Sequence, residues 1–283
     1  MPTSNDHDFS TDQDLSRFVD VAESAARAGG EVLKKWMGKI SVTEKNVGDY
    51  VTQADIESQN VIRKIIEDAF PTHNFQGEED VQLDENTGGK KESESTSEFC
   101  WIVDPLDGTT NFIHQMQSFS VSIGLRLKDK IVVGCVYDPV IQEMYIGVRG
   151  AGATLNGEPI KVSKCTGTKG SLLVCSFPRD IHRGHADFIR FENLICDTEA
   201  SIRRLGSAAL NVCYVACGRL DAYWATALSV WDVAGGSVIL EEAGGQLHSI
   251  DPKVAFNLNE PRFIATATPE LFEALAPHMI FES

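Results

Sequence analysis

The middle of the chain reads Trp101-Ile102-Val103-Asp104-Pro105-Leu106-Asp107-Gly108-Thr109-Thr110-Asn111-Phe112. The apolar run that leads into this stretch, Phe99 to Val103, predicts a buried strand. We expect the strand to stop at Asp104, because the proline that follows cannot donate to a sheet and an Asp-Gly turn comes next. Two carboxylates three residues apart are therefore predicted to lie in a short rigid loop at the end of a buried strand.

The polar groups of this loop point to a hard metal ion and a phosphate. All the ligand atoms on offer are oxygens, from the Asp104 and Asp107 carboxylates, the Leu106 carbonyl and the Thr109 hydroxyl. Oxygen ligands suit Mg²⁺, Mn²⁺ or Ca²⁺ rather than zinc or copper. Gly108 would let the amides of Thr109 and Thr110 approach an anion closely. The alternative is that the two aspartates only cap a turn or a helix, and the loop alone does not decide between these interpretations.

Composition restricts the function further. The chain has 283 residues and a formal net charge of −16. Surfaces that bind nucleic acids or acidic membranes need clustered Lys and Arg, so we expect neither kind of partner. The polar, acidic start, residues 1–14, predicts a disordered segment rather than a signal peptide, and no apolar run is long enough to span a membrane. The seven cysteines lie mostly in apolar segments, which is typical of reduced thiols in a cytoplasmic protein.

The first part of the chain is predicted to be helical. Apolar residues recur at helical spacing from Leu15 to Trp36, which predicts one long amphipathic helix. A polar loop from Ser41 to Tyr50 contains Lys45. Thr52 and Asp55 then have the spacing of a helix-start box, so the local interpretation of Asp55 is a capping residue.

Two further acids follow a short apolar strand. Gly77 predicts an abrupt bend, and Glu78 and Glu79 come directly after it. This is an unusual position for acids that are only solvated surface residues. The next residues, from Asp80 to Glu98, are rich in Gly, Ser, Lys and Glu. Their composition predicts a mobile surface excursion.

The remainder of the chain predicts two kinds of sheet. Phe99 to Val162 has the alternation and turns of antiparallel strands, and beyond it strands alternate with helices, which is typical of layered α/β packing. Two helices are predicted to start at Gly206-Ser207-Ala208 and at Trp231-Asp232, where free backbone N–H groups could bind an anion. The boundary between these two halves of the chain, near residues 164–170, is not sharply marked. Residues 15–283 are therefore predicted to form a single catalytic domain.

In order along the chain, these pieces resemble the inositol monophosphatase family of metal-dependent, lithium-sensitive sugar phosphatases. The matching segments are Asp49-Tyr50-Val51-Thr52-Gln53-Ala54-Asp55, Gly77-Glu78-Glu79, Asp104 to Phe112, Gly206-Ser207-Ala208-Ala209, Trp231-Asp232-Val233-Ala234-Gly235 and Glu242-Ala243-Gly244-Gly245. The resemblance implies an α/β (α+β) fold, a layered αβαβα sandwich, and a homodimer. It also implies a phosphomonoesterase with about two to three Mg²⁺ ions per site, or Mn²⁺ in their place. The substrate would be a small phosphorylated polyol, inositol monophosphate, cleaved to myo-inositol and phosphate by a metal-activated water.

The resemblance further implies a role for each residue. Glu78, Asp104 and the Leu106 carbonyl would hold a first ion. Asp104 would bridge to a second ion, bound also by Asp107 and Asp232. Glu78 and water would hold a third ion with Glu79 close behind, and Thr109, backed by Asp55, would orient the attacking water. The substrate-binding set would be Lys45, Asp107, Gly108, Thr109, Thr110, Gly206, Ser207 and Ala208.

One departure from the family pattern leaves the substrate open. Members that select inositol carry a Glu shortly before the Trp-Asp pair, and Ala225 occupies that place here. Alanine offers no acceptor to a ring hydroxyl, so selection among polyols is expected to be less sharp. The alternatives are the same chemistry on fructose-1,6-bisphosphate, NADP or a broad set of sugar phosphates, and, from another class, a catalytically idle scaffold relative.

Overall fold

The computed structural model describes residues 12–39, 42–46, 49–80, 97–251 and 253–279. The α-helices in these ranges are α1 (Asp12–Trp36), α2 (Gln53–Ala69), α3 (Thr109–Ile113), α4 (Ala186–Asp197), α5 (Ala208–Ala216), α6 (Val230–Glu242) and α7 (Pro269–Leu275). Because α1 begins at Asp12, the disorder predicted for residues 1–14 does not extend to residues 12–14, and residues 1–11 lie outside the described ranges. Most of the excursion predicted from Asp80 to Glu98 also lies outside them.

The larger sheet has seven strands in the order in which they occur along the chain. They are β3 (Asn74–Gly77), β4 (Phe99–Asp107), β5 (Ser120–Leu127), β6 (Lys130–Asp138), β7 (Glu143–Val148), β8 (Gly152–Leu155) and β9 (Glu158–Pro159). Only the β3–β4 pair is parallel, and each later strand pairs antiparallel with the one before it. The antiparallel series predicted for Phe99 to Val162 is therefore confirmed.

The smaller sheet has five strands in the order β11-β10-β12-β14-β13. They are β10 (Leu172–Cys175), β11 (Ser201–Arg203), β12 (Ala222–Ala225), β13 (Gln246–Ser249) and β14 (Phe263–Thr266). Strand β10 is parallel to both β11 and β12. Consequently the carboxyl ends of these three strands lie at one edge of the sheet.

A two-stranded hairpin replaces the polar loop predicted for Ser41 to Tyr50. Strand β1 (Val42–Asn46) pairs antiparallel with β2 (Asp49–Thr52). The loop prediction was wrong because it followed polarity alone. Several of these positions hold β-branched or aromatic residues, Val42, Thr43, Tyr50, Val51 and Thr52, and these types favour strands.

The sheets and helices stack in the order α/β/α/β/α, as the resemblance implied. Trp101 of β4 is buried in a core with α1 and α2, whereas its neighbour Ile102 is buried on the opposite face against α6. Helices α5 and α6 share a second core with the inner face of the smaller sheet. The outer face of that sheet packs against α4 and α7.

Small residues let α6 lie close to the larger sheet. A Cβ atom on Gly124 would lie 2.8 Å from the Ala234 Cβ, and one on Gly134 would overlap the Gly235 carbonyl oxygen. This contact brings the start of α6, and with it Asp232, next to β4. Among the described residues, no helix is long and apolar enough to cross a membrane.

Candidate active site

Three aspartates meet where β4 approaches the starts of α5 and α6. Asp104 and Asp107 belong to β4 and Asp232 to the first turn of α6. One carboxylate oxygen from each lies within 4.8 Å of the others. The cluster therefore joins residues that are more than a hundred positions apart in the sequence.

A bulge in β4 explains why its two aspartates share a side. Residues three apart in a regular strand point to opposite faces. Here Asp104 pairs with Ser122 and Asp107 with Ser120, so three steps on β4 match two steps on β5. The extra residue turns both carboxylates the same way. The strand thus continues through Pro105 to Asp107 and does not stop at Asp104, which corrects the sequence prediction.

Burial and repulsion between the acids raise the pKa values of the cluster. Burial raises the pKa of Asp104 well above its usual value, and the charges of Glu78, Asp107 and Asp232 raise it further. Burial and the Asp107 charge raise the pKa of Asp232 to about 7. Buried carboxylates this close repel one another, and a multivalent cation relieves that repulsion. Because every donor in the cluster is an oxygen, the residues fit Mg²⁺.

Asp107 also caps helix α5. Its Oδ1 accepts a hydrogen bond from the Ala208 N–H at 3.0 Å, and its Oδ2 accepts from the Ala209 N–H at 2.7 Å. The hydroxyls of Ser207 and, at 3.3 Å, Ser120 donate to Oδ2 as well. The prediction of free N–H groups at this helix start was therefore wrong, since the anion that they bind is the chain's own carboxylate.

Asp55 caps α2 and also lies close to Thr109. Its Oδ2 accepts from the Thr52 N–H at 2.9 Å, which completes the predicted capping box of α2. Its Oδ1 lies 3.4 Å from the Thr109 hydroxyl, which is also 3.1 Å from the Leu106 carbonyl oxygen. A partly buried chain of hydrogen bonds therefore runs from the start of α2 to the bulge in β4.

Glu78 and Glu79 follow β3 beside the cluster. The Glu78 N–H donates to the Val103 carbonyl at 3.0 Å, which holds the turn against β4. Glu79 is buried, and its N–H donates to Gln59 Oε1 at 3.0 Å. Sequence reasoning missed Gln59, because nothing in the helical pattern of α2 marks it as a partner of the next turn.

The remaining predicted residues lie on several different elements. Gly108 has a left-handed φ of 98° and opens α3, a short helix that the sequence did not reveal. Thr110 is exposed on α3. Gly206, in the loop before α5, has a φ of 97°, and a Cβ atom there would overlap the Asn111 side chain. Lys45 lies in β1, and its side chain is outside the part of the chain that the structure describes.

Comparisons with known proteins agree with this geometry. The profile of the inositol monophosphatase family matches residues 14–281. Inositol monophosphatase 1 of Solanum lycopersicum is 40% identical over 265 residues, which cover 92% of this chain and 93% of the relative. Nus factor SuhB of Pseudomonas aeruginosa is 37% identical, with 94% and 98% covered. The solved inositol monophosphatase from Anabaena superposes with a TM-score of 0.77 at 36% identity, with 94% and 96% covered.

Proposed function

The chain belongs to the inositol monophosphatase family of phosphoric monoester hydrolases, and on that premise we propose that it is a Mg²⁺-dependent enzyme that hydrolyses inositol monophosphate to myo-inositol and phosphate. The observation that carries the proposal is the meeting of Asp104, Asp107 and Asp232 within 4.8 Å. Asp107 and Asp232 also cap helices, but an idle relative has no need to keep the buried Asp104 beside them. We extend the proposal to lithium sensitivity, a cytoplasmic location and a homodimer, in line with the family resemblance.

The metal would be held by oxygens around the bulge. Asp104, Asp107 and Asp232 would bind Mg²⁺, together with Glu78 and the Leu106 carbonyl. When bound, Mg²⁺ lowers the pKa of an attacking water and neutralises charge on the phosphate and leaving oxygens. Part of the rise in the pKa values of Asp104 and Asp232 comes from repulsion by neighbouring carboxylates, and a bound cation would relieve that repulsion.

Thr109 and Asp55 would orient the attacking water. With its proton directed at Asp55 Oδ1, 3.4 Å away, the Thr109 hydroxyl presents a lone pair that can accept a hydrogen bond from that water. Asp55 stays in place because Thr52 donates to its other oxygen. The pair therefore aligns the water without supplying a nucleophile of its own.

The start of α3 would bind the reacting phosphate. Gly108 is required there, since it has a positive φ and a Cβ atom would lie 3.0 Å from the Ser118 carbonyl oxygen. The N–H groups of Gly108, Thr109 and Thr110 would donate to phosphate oxygens. Ser207 and Ala208 would contribute on the alcohol side through Asp107, which they hold.

A panel of phosphate esters assayed for phosphate release tests the proposal. With Mg²⁺ present we expect turnover of inositol 1-phosphate, inhibition by Li⁺, and a loss of about 10³-fold or more in Asp104→Asn. Asp129→Asn is the matched control, because this acid is exposed in the turn at the far end of β5. Preference for fructose-1,6-bisphosphate or NADP would instead support the alternative substrates.

A second candidate function comes from the Pseudomonas relative, which is named a Nus factor. A role of that kind would not require the acids to bind metal. If the protein releases phosphate from none of the esters at saturating Mg²⁺, that result would favour a role of this kind, or the idle scaffold, over the enzyme.

A further inference from the structure

A buried ion pair lies on helix α4, outside the acidic cluster. Asp187 and Arg190 are one helical turn apart, and their side chains are 0% and 2% exposed. Arg190 Nη1 donates to Asp187 Oδ1 at 2.8 Å. The same helix places Leu194 in the apolar core on the outer face of the smaller sheet. Because apolar side chains of similar volume would pack there as well as a buried ion pair does, stability alone does not explain the pair.

The second oxygen of Asp187 joins helix α4 to a loop far along the chain. Asp187 Oδ2 accepts a hydrogen bond from the Thr226 hydroxyl, which is 39 positions away in the sequence. The backbone N–H of Asp187 donates to His185 Nδ1 at 3.1 Å, which caps the start of the helix. Both carboxylate oxygens are thus used, one by the arginine and the other by the loop.

The loop that Asp187 holds leads directly to the acidic cluster. Thr226 is the first residue after β12, and residues 226–229, the β12–α6 loop, connect this strand to α6. At the other end of the loop the Ser229 N–H donates to Asp232 Oδ2 at 2.6 Å. The β12–α6 loop is therefore bonded at its first residue to Asp187 and at its last to Asp232.

Asp232 reaches the cluster from a different element than the other two aspartates. Asp104 and Asp107 lie on one strand, β4, whereas Asp232 belongs to the first turn of α6. A metal ion shared by the three needs both elements at a fixed separation, and the groups behind metal ligands commonly set that geometry. A shift of the β12–α6 loop would move the Ser229 N–H, and the Asp232 carboxylate that it holds would move with it.

We propose that Asp187 is a positioning residue for the metal site. Through Thr226 it holds the β12–α6 loop, and with the loop Asp232, at the distance from the β4 aspartates that Mg²⁺ binding requires. Arg190 balances the charge of this buried acceptor. The inference rests on the proposed function, because it assumes that the three aspartates of the cluster bind Mg²⁺.

Calorimetric titration of the full chain with Mg²⁺ tests this role, because the titration does not depend on turnover. Thr226→Val keeps the shape of the side chain but removes the donor, and we expect the dissociation constant for Mg²⁺ to rise about tenfold. Thr226→Ser keeps the donor and should bind Mg²⁺ nearly as the wild type does. Thr198→Val is the matched control, because the Thr198 hydroxyl donates to the Leu194 carbonyl at the other end of α4.

A double variant with Asp187→Val and Arg190→Met separates positioning from stability. It replaces the ion pair by apolar side chains of similar total volume, so the melting temperature in EDTA should stay close to that of the wild type. The dissociation constant for Mg²⁺ should nevertheless rise as it does in Thr226→Val, because the acceptor of the Thr226 hydroxyl is gone.

Wild-type affinity for Mg²⁺ in Thr226→Val or in the double variant would overturn the positioning role, and so would an equal loss of affinity in Thr198→Val. Failure of the proposed function gives a different result. If the wild type binds Mg²⁺ and Thr226→Val binds it more weakly, but no ester releases phosphate, the positioning role stands and the enzyme does not. A wild-type protein that binds no Mg²⁺ contradicts both.

Discussion

At the scale of single residues, Asp104 and Asp107 carry the same charge in different surroundings. Asp104 Oδ1 accepts from the Leu106 N–H at 3.0 Å, a bond that an asparagine oxygen can keep. Asp107 uses both oxygens to accept from the start of α5. We predict that Asp107→Asn lowers the free energy of unfolding by about 1–3 kcal/mol, because its new amide would face N–H donors.

Asp104→Asn supplies the comparison for this prediction. It removes a charge from the repelling cluster, so without metal it should melt at or above the wild-type temperature. Both variants should lose turnover, and chemical denaturation in EDTA distinguishes them. Equal unfolding free energies for the two variants would contradict the hydrogen-bond argument.

The sequence could identify the acids of the site but not their partners. The apolar run before Asp104 and the helix start at Asp232 mark these acids as candidates, although the sequence placed Asp104 and Asp107 in a loop and the structure places them in β4. The bonds from Ser207 and Ala208 to Asp107 cross about a hundred residues, and no local pattern reports such a contact. The bulge was equally hidden, because it depends on register with β5.

At the scale of elements, an aromatic cluster around His73 joins α1, α2 and β4. The His73 ring stacks on Phe70 at 4.8 Å and on Phe99 at 4.6 Å. Its Nδ1 accepts from the Trp101 Nε1–H at 3.1 Å, which requires the neutral ring. Burial, and then the charge of Arg17, lower the pKa of His73 below its usual 6.5.

This cluster predicts a loss of stability in mild acid. Below pH 6.5 the unfolded chain binds a proton at His73 more readily than the native state does, so the free energy of unfolding falls as the pH falls. Gln can accept from Trp101 but cannot be protonated, so His73→Gln should show a flatter change in melting temperature between pH 7.5 and 5. His182→Gln is the control, because this histidine is exposed; His248, whose pKa is also lowered by burial, should contribute to the slope in the same direction as His73. If His73→Gln keeps the full wild-type slope, the cluster is not the sensor.

Most elements were predictable because their patterns are regular. The helix from Leu15 to Trp36 and the alternating second half follow from periodicity, and α2 follows from its capping box. The β1–β2 hairpin was missed because its strands are polar, and α3 because a helix of five residues has too few turns for a period to show.

At the scale of the whole molecule, the acidic cluster lies where the larger sheet meets the middle helix layer. Its carboxylates come from β4 and α6, so they are brought together only when the chain folds. The family and the layered architecture follow from the order of the motifs along the chain. The shared edge at which β10, β11 and β12 end does not, because it is created by the parallel pairing of these strands.

Metal binding should therefore stabilise the entire fold. Mg²⁺ binds the assembled cluster but not the separated acids of the unfolded chain, so at about 100 times its dissociation constant it adds about 2.7 kcal/mol. For a chain of this size we predict a rise in melting temperature of about 5–10 °C over the protein in EDTA. Asp104→Asn should lose most of this rise, and Asp129→Asn should keep it. A similar rise in NaCl of matched ionic strength, or in Asp104→Asn, would show that the effect is general screening of the chain's negative charge rather than binding at the cluster.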